Sequence, residues 1–160
     1  MSILYICGGC PGAGKTHYIN SILEEDSQVR VSIEDIRMEL VPENQQLYSK
    51  ETLVFNTFLE RIMKALEDDY DVYADATNLT KQARYKILSR IPKSYYDEVH
   101  MLWFNVDKST CVAQNELRKG SRTYLDPKDL KILFYSIEEP EQNEGFDSIE
   151  KIIPQNAFMR

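Results

Sequence analysis

The sequence predicts an α/β fold in which a parallel sheet is flanked by helices. Apolar runs typical of strands alternate with helical patterns along the chain, and such alternation favours parallel strands joined by helices. The predicted strands are residues 3–7, 29–31, 72–74 and 99–105. The predicted helices are residues 15–25, 33–41, 49–68, 80–91, 108–119 and 127–137. We expect ligands to bind at the carboxyl ends of these strands.

Periodicity and capping residues support several of these helices. The third helix has one apolar face, because apolar residues recur with a period of about 3.6. These residues are Leu53, Phe55, Phe58, Leu59, Ile62, Met63 and Leu66. Thr80 is placed to cap the fourth helix, and Asp126 followed by Pro127 is typical of an N-cap and the first helical residue.

Length and composition indicate a single globular domain spanning residues 1–160. The chain has 160 residues, of which 42% are hydrophobic and 28% charged, enough to bury an apolar core. No apolar run is long enough to span a bilayer, so we expect no membrane role. Residues 1–6 lack the basic start of a signal peptide, and none is expected.

Cysteine content and net charge limit the compartment and the partners. Cys7, Cys10 and Cys111 are an odd and sparse set, which fits a reducing cytoplasm. Cys7 and Cys10 have a C-x-x-C spacing, but the sequence has no second Cys or His pair that would complete a metal site. We therefore interpret them as small residues that flank a loop. The net charge of −7 excludes a broad basic surface for coating nucleic acid. A nucleic-acid partner would have to be bound at one end, over a few phosphates.

A glycine-rich loop lies between the first strand and the first helix. It comprises Gly9, Cys10, Pro11, Gly12, Ala13, Gly14, Lys15 and Thr16. Its glycines let backbone N–H groups point at phosphate oxygens, and the helix adds the positive end of its dipole. Lys15 is expected to reach the β- and γ-phosphates of ATP, and Thr16 to ligate Mg²⁺. The alternative is a purely structural turn.

This loop predicts a P-loop NTPase fold with ATP and Mg²⁺ as cofactors. GTPases, motor ATPases and small kinases share such a loop. The chain is short for a motor, and it has no guanine-reading N-K-x-D motif. A phosphotransferase is therefore the favoured class.

The second strand ends beside two carboxylates that could accept a proton from an attacking hydroxyl. Glu34 and Asp35 are both candidates for this general base. Arg37, three residues after Glu34, lies on the same helix face and could hold an acceptor phosphate. In the alternative interpretation, Ser32 and Asp35 form a capping-box-like helix start, and Glu34 only complements the helix dipole.

The third strand ends in an acidic residue followed by a polar turn. Asp75 is expected to orient the metal or the acceptor, and we predict that Asn78 contributes to the acceptor site. The alternative is an Asx turn that only ends the strand.

Positive charge gathers between residues 114 and 131, in a predicted C-terminal helical lid. The cations are Arg118, Lys119, Arg122, Lys128 and Lys131. Gly120 interrupts the helix, so this stretch could close over ATP and present Arg118 to the transferring phosphoryl group, with Arg122 also binding ATP. A solvated charged face is the alternative.

These motifs resemble the kinase domain of 5′-polynucleotide kinases, of both the T-even phage type and the animal kinase–phosphatase type. The shared elements are Gly9-x-Pro11-Gly12-x-Gly14-Lys15-Thr16, the acid at Glu34, Asp75-x-Thr77-Asn78, Asn115-x-x-Arg118 and Glu139-Pro140-x-x-x-Glu144-Gly145-Phe146. The resemblance implies ATP-dependent phosphorylation of the 5′-hydroxyl end of DNA or RNA, as in nucleic acid repair. It also implies that Lys15 and Thr16 serve ATP and Mg²⁺, Arg118 is the lid arginine, and Arg37 contacts the acceptor phosphate.

The chain departs from this family at the general base. The family uses aspartate where this chain has Glu34, and Asp35 follows one residue later. Glutamate is longer by about 1.5 Å, and a misplacement of about 1 Å can cost roughly a hundredfold in rate. Either the pocket has adjusted, or Asp35 takes over, or the acceptor differs.

A small-molecule kinase and a non-catalytic ATP-binding module are the competing interpretations. No D-x-D-G-T run is present, so we expect no phosphatase half.

Overall fold

The computed structural model describes residues 2–154; Met1, part of the N-terminal stretch considered above, lies outside them. The strands are β1 (Ile3–Gly8), β2 (Gln28–Ser32), β3 (Asp71–Asp75), β4 (Glu98–Phe104) and β5 (Ser148–Ile152). The helices are α1 (Lys15–Ile22), α2 (Ile33–Leu40), α3 (Glu51–Glu67), α4 (Lys81–Arg90), α5 (Lys108–Glu116) and α6 (Pro127–Ser136). Short 3₁₀ turns lie at Lys93–Tyr95 and Gln142–Glu144.

Within residues 2–154 the strands form one five-stranded sheet in the order β2-β3-β1-β4-β5, and every pairing is parallel. The predicted α/β fold is therefore confirmed. The sequence did not indicate β5, because this strand pairs only with β4 at the sheet edge and most of its side chains are exposed. An edge strand with two charged residues, Glu150 and Lys151, lacks the continuous apolar run of a central parallel strand.

Buried apolar clusters cover both faces of the sheet. Alternate residues of a strand point to opposite faces, and in β4 Met101 belongs to one cluster and Leu102 to the other. The predicted apolar face of α3 packs onto the first cluster through Phe58 and Ile62. Leu53 is the exception, because it is exposed at the start of that helix.

The predicted caps form as expected. The Thr80 hydroxyl accepts a hydrogen bond from the backbone N–H of Ala83 (3.1 Å), and Asp126 accepts one from the N–H of Lys128 (2.9 Å). Among the residues described, no helix has both the length and the apolar character that a membrane crossing requires.

The cysteines differ from the expectation of a fully reduced set. Cys10 of the glycine-rich loop is joined by a disulfide to Cys111 of α5, and their Cα atoms are 6.9 Å apart. This partner is 101 residues distant in sequence and could not be identified from spacing. Cys7 is buried and free, and burial raises the pKa of its thiol well above the usual value. The C-x-x-C spacing therefore carries no pairing of its own.

A buried arginine connects the third strand's turn to the C-terminal segment. Arg84 of α4 donates to the carbonyl oxygens of Asn78 (2.8 Å) and Glu138 (2.9 Å), and it forms two hydrogen bonds with the Glu144 carboxylate. Phe146 is buried in the core two residues later. The segment from Glu139 to Phe146 that carries the family resemblance is therefore structural.

Candidate active site

A cavity of about 930 Å³ lies at the carboxyl ends of β1, β2 and β3, between α3, α4 and α6. Most of the predicted site residues line it: Pro11, Gly12, Ala13, Gly14, Lys15, Thr16, Glu34, Asp35, Arg37, Asp75, Asn78 and Arg118. Gly9 and Cys10 belong to the glycine-rich loop but lie behind the cavity surface, and Arg122 lies outside it. The structure thus brings together groups that are as far apart in the chain as Pro11 and Arg118.

The glycine-rich loop has the backbone conformation that the sequence predicts. Gly12 and Gly14 have φ values of 86° and 84°, in the left-handed region that side chains disfavour. A Cβ atom at Gly12 would also lie 2.8 Å from the Cβ of Gln114. The Lys15 ammonium donates to the carbonyl oxygens of Gly9 (2.8 Å) and Cys10 (3.3 Å), and burial lowers its pKa. The lysine is therefore held directly over the loop.

Arg30 of β2, which sequence reasoning missed, connects three of the predicted site residues. It donates from Nε to Asp75 Oδ2 (2.8 Å), from Nη2 to Thr16 Oγ1 (3.0 Å), and from Nη1 to Asp35 Oδ2 (3.2 Å). The sequence feature that could have identified Arg30 is its position as a cation between two valines in a short apolar strand. A charged side chain there needs a buried partner, and Asp75 on the neighbouring strand supplies it.

Thr16 and Asp75 have the oxygen donors that Mg²⁺ prefers. Both groups line the cavity, and both accept a hydrogen bond from the Arg30 guanidinium. Within residues 2–154, no group of three or more His, Cys, Asp or Glu side chains could hold a metal unaided. The residues therefore fit Mg²⁺ as an ion bound jointly with nucleotide phosphates.

The two candidate bases have different surroundings. Ser32 accepts a hydrogen bond from the Asp35 N–H (3.2 Å), so the predicted helix cap is present. The Asp35 carboxylate faces Arg30. Glu34 instead points towards the lid, with its Oε2 atom 4.0 Å from Nη1 of Arg118. The sequence left both residues as candidates, with Glu34 at the position of the family's base, and the structure separates them by their partners.

Two further predicted residues are already engaged by the protein. Arg37 forms two hydrogen bonds of 2.8 Å with Glu51, through Nε and Nη2. Asn78 is buried, and its side-chain amide donates to the carbonyl oxygen of Cys7 (2.7 Å). That bond holds the turn after β3 against β1. Asn78 therefore makes a structural contribution that the sequence-based prediction of an acceptor contact did not include.

The prediction that Arg122 binds ATP is not supported by its position. Arg122 donates to the carbonyl oxygens of Val41 (3.0 Å) and Pro42 (3.0 Å), in the segment after α2. Both carbonyls follow the end of α2, where backbone acceptors lack intrahelical partners. The guanidinium therefore fastens the lid to residues 41–45 rather than facing the cavity.

The lid is a compact loop that Asn115 closes. The Asn115 side chain donates to the carbonyl oxygen of Leu125 (2.8 Å) and accepts from its N–H (3.0 Å). Helix α5 ends at Glu116, and Gly120 has a φ of 93° in the turn that follows. Asn115 thereby positions Arg118 at the cavity, which gives a physical basis for the Asn115-x-x-Arg118 spacing.

Comparison with known proteins gives one family match. A family model described as an AAA domain matches residues 4–133. No curated protein matches the sequence.

Solved structures share the fold at low sequence identity. Kti12 from Chaetomium thermophilum, in complex with ADP-AlF3, has a TM-score of 0.70 and 15% identity over 96% of this chain and 90% of that one. A fungal RNA kinase has a TM-score of 0.63 and 14% identity, covering 94% and 75%. A gluconokinase from Sinorhizobium meliloti 1021 has a TM-score of 0.60 and 15% identity, covering 96% and 83%. These similarities confirm the predicted P-loop NTPase fold.

Proposed function

The chain belongs to the AAA domain family, and on that premise we propose that it is an ATP-dependent kinase acting on the 5′-hydroxyl end of a polynucleotide. The observation that carries this proposal is the approach of Glu34 to Arg118, 4.0 Å apart across the cavity that holds the glycine-rich loop. A proton acceptor and a phosphoryl-binding cation face one another there. Phosphoryl transfer to a hydroxyl needs this pair at the γ-phosphate.

In the proposed reaction, Glu34 accepts the proton of the 5′-hydroxyl as its oxygen attacks the γ-phosphorus. The bond from that phosphorus to the β–γ bridging oxygen breaks, and ADP leaves. Lys15 and Arg118 stabilise the negative charge on the moving phosphoryl group. Mg²⁺, bound by Thr16 and oriented by Asp75, would neutralise phosphate charge.

Glu34 is favoured over Asp35 as the base because of their partners. Asp35 is paired with Arg30, which is itself anchored to Asp75 and Thr16. The partner of Glu34 is Arg118, and ATP phosphates would draw that guanidinium towards themselves. Glu34 would then be left with its carboxylate directed at the acceptor.

Arg37 is the proposed contact for the acceptor phosphate. Its two bonds to Glu51 use Nε and Nη2, so Nη1 is the nitrogen that remains for a ligand. The 5′-hydroxyl end would be bound locally, in keeping with the net charge of −7.

A small-molecule kinase is the second candidate. The acidic composition and the fold shared with a gluconokinase favour a nucleoside, nucleotide or sugar acceptor. The test is incubation with γ-labelled ATP and a panel of 5′-hydroxyl oligonucleotides, nucleosides, mononucleotides and gluconate. Labelled oligonucleotide supports the proposal, and label confined to a monomer supports the second candidate. ATP binding with no labelled acceptor would indicate a non-catalytic module.

A further inference from the structure

The side of the cavity formed by α3 and α4 has features that the proposed reaction does not use. Phe55 of α3 and Lys86 of α4 both line the cavity. The Lys86 ammonium lies 4.7 Å from the centroid of the Phe55 ring, and the guanidinium carbon of Arg90 lies 5.6 Å from the same centroid. We call these three residues the acceptor wall; Phe55 and Lys86 line the cavity, and Arg90 lies beside them on the same ring.

Lys86 differs from the other cations of the cavity. Lys15, Arg30, Arg37, Lys86 and Arg118 are the lysines and arginines that line it. Four of them contact backbone or carboxylate oxygen atoms. In the part of the chain that the structure describes, Lys86 and Arg90 form no ion pair with a carboxylate. Their charge is therefore uncompensated, in a protein of net charge −7.

The spacing of these two cations places like charges side by side on α4, while Arg90 in the last turn also complements the helix dipole. Lys86 and Arg90 are four residues apart on α4, so they lie on one face of the helix and repel each other. Both remain exposed, and both approach the same aromatic ring. An anionic ligand would relieve this repulsion. If Lys86 and Arg90 had only a structural role, the repulsion would remain.

The acceptor wall continues from the proposed acceptor contact. Glu51, which holds Arg37, and Phe55 are one helical turn apart on α3. The Arg37 guanidinium also lies over the Tyr48 ring, 4.9 Å from its centroid. Cations and aromatic faces therefore extend from Arg37 along the cavity to Lys86.

We propose that the acceptor wall binds the nucleotides that follow the 5′-terminal nucleoside, with Lys86 and Arg90 on their phosphates and Phe55 against a base. Alternating cations and aromatic rings are the chemistry that binds single-stranded nucleic acid without sequence preference. This subsite rests on the proposed function and deepens it, because it makes a strand of several nucleotides the acceptor. A nucleoside 3′-monophosphate would reach Arg37 but not the acceptor wall.

The test compares two acceptors, a 5′-hydroxyl octanucleotide and a nucleoside 3′-monophosphate. Lys86→Ala should raise the KM for the octanucleotide on the order of tenfold. It should leave kcat, the KM for ATP and the KM for the monophosphate unchanged. Phe55→Leu should raise the octanucleotide KM in the same selective way.

Lys108→Ala is the matched control. Lys108 also lies over an aromatic ring, 5.7 Å from the centroid of Tyr135, but outside the cavity. Removing it should change none of these constants. Thermal melting of each variant checks that the fold is retained.

Direct binding separates this subsite from the proposed function. Fluorescence anisotropy of a labelled 5′-hydroxyl octanucleotide should show weaker binding to Lys86→Ala than to wild type, whether or not phosphate is transferred. Selective loss of binding without any kinase activity would support the subsite and reject the function. Kinase activity on the octanucleotide with unchanged binding and KM in Lys86→Ala would reject the subsite and keep the function. If wild type neither binds nor labels the octanucleotide, both are rejected.

Discussion

Arg30 donates to the Asp75 carboxylate at 2.8 Å, and both side chains are almost buried, with 14% and 6% of their surface exposed. This pair joins the middle of β2 to the end of the neighbouring strand β3, next to the hydroxyl of Thr16. A buried ion pair costs desolvation when it forms, and removing one partner leaves the other charge buried and unpaired. The pair therefore links the stability of the sheet edge to the shape of the phosphate site.

Arg30→Ala should destabilise the fold by roughly 3 kcal/mol, because it leaves Asp75 buried without its cation. Arg61→Ala is the control, since Arg61 forms an exposed pair with Glu39 and its loss should cost about 1 kcal/mol or less. Urea denaturation of both variants measures the difference. Equal midpoints for the two would show that the Arg30–Asp75 pair contributes no more than a surface pair.

Lys15→Ala should abolish phosphoryl transfer and leave the fold intact. The Lys15 ammonium forms its hydrogen bonds with carbonyl oxygens of the loop, so its loss removes no apolar side chain from the core. Its proposed contribution is to the charge that develops during transfer. Transfer from γ-labelled ATP, with circular dichroism as the check on folding, measures the effect. Lys64→Ala, an exposed change on α3, should retain full activity, and near wild-type turnover by Lys15→Ala would remove the lysine from the mechanism.

Arg118→Ala should lower kcat by a factor on the order of 10³, as removal of a phosphoryl-binding arginine does in related chemistry. Arg122→Ala should leave kcat and the KM for ATP nearly unchanged, because Arg122 holds the carbonyls of Val41 and Pro42 outside the cavity. Its effect should instead be faster amide exchange in residues 41–45. Steady-state kinetics and hydrogen exchange separate the two arginines, and similar kinetic losses would mean that the lid works as a single charged surface.

Glu144→Ala should destabilise the fold by about 3 kcal/mol or more, because it leaves the guanidinium of Arg84 buried without its carboxylate. Arg84 is 0% exposed and Glu144 is 10% exposed. Glu139→Ala tests a neighbouring acid whose pair with Lys151 is exposed, and it should cost less than about 1 kcal/mol. Chemical denaturation distinguishes these outcomes. A small loss in both variants would contradict the structural interpretation of this segment.

Local sequence signals predicted the parts of the fold whose causes are local. Apolar runs indicated four of the strands, and the glycine-rich loop was recognisable because its glycines and lysine all lie within residues 9–15. The edge strand β5 was not predicted, because its pairing with β4, rather than its composition, makes it a strand.

Residues whose partners are distant in sequence could not be predicted. Arg30 meets Asp75 only because β2 lies beside β3 in the sheet. Arg122 carries the same charge as Arg118, and only the folded lid shows that one faces the cavity and the other the carbonyls of residues 41–45. Charge patterns identify candidate residues, whereas tertiary packing decides which of them reach a site.

The most direct test of the central claim is transfer of label from γ-labelled ATP to a 5′-hydroxyl octanucleotide by wild type and by Glu34→Gln. We expect wild type to label the octanucleotide, and Glu34→Gln to lower kcat by about 10²–10⁴ while ATP binding is preserved. Glu34→Asp should keep more activity than Glu34→Gln, and Asp35→Asn should lose little activity per folded molecule. Label on monomeric acceptors alone, or a loss of activity confined to Asp35→Asn, would contradict the assignment of Glu34 as the base of a polynucleotide 5′-kinase.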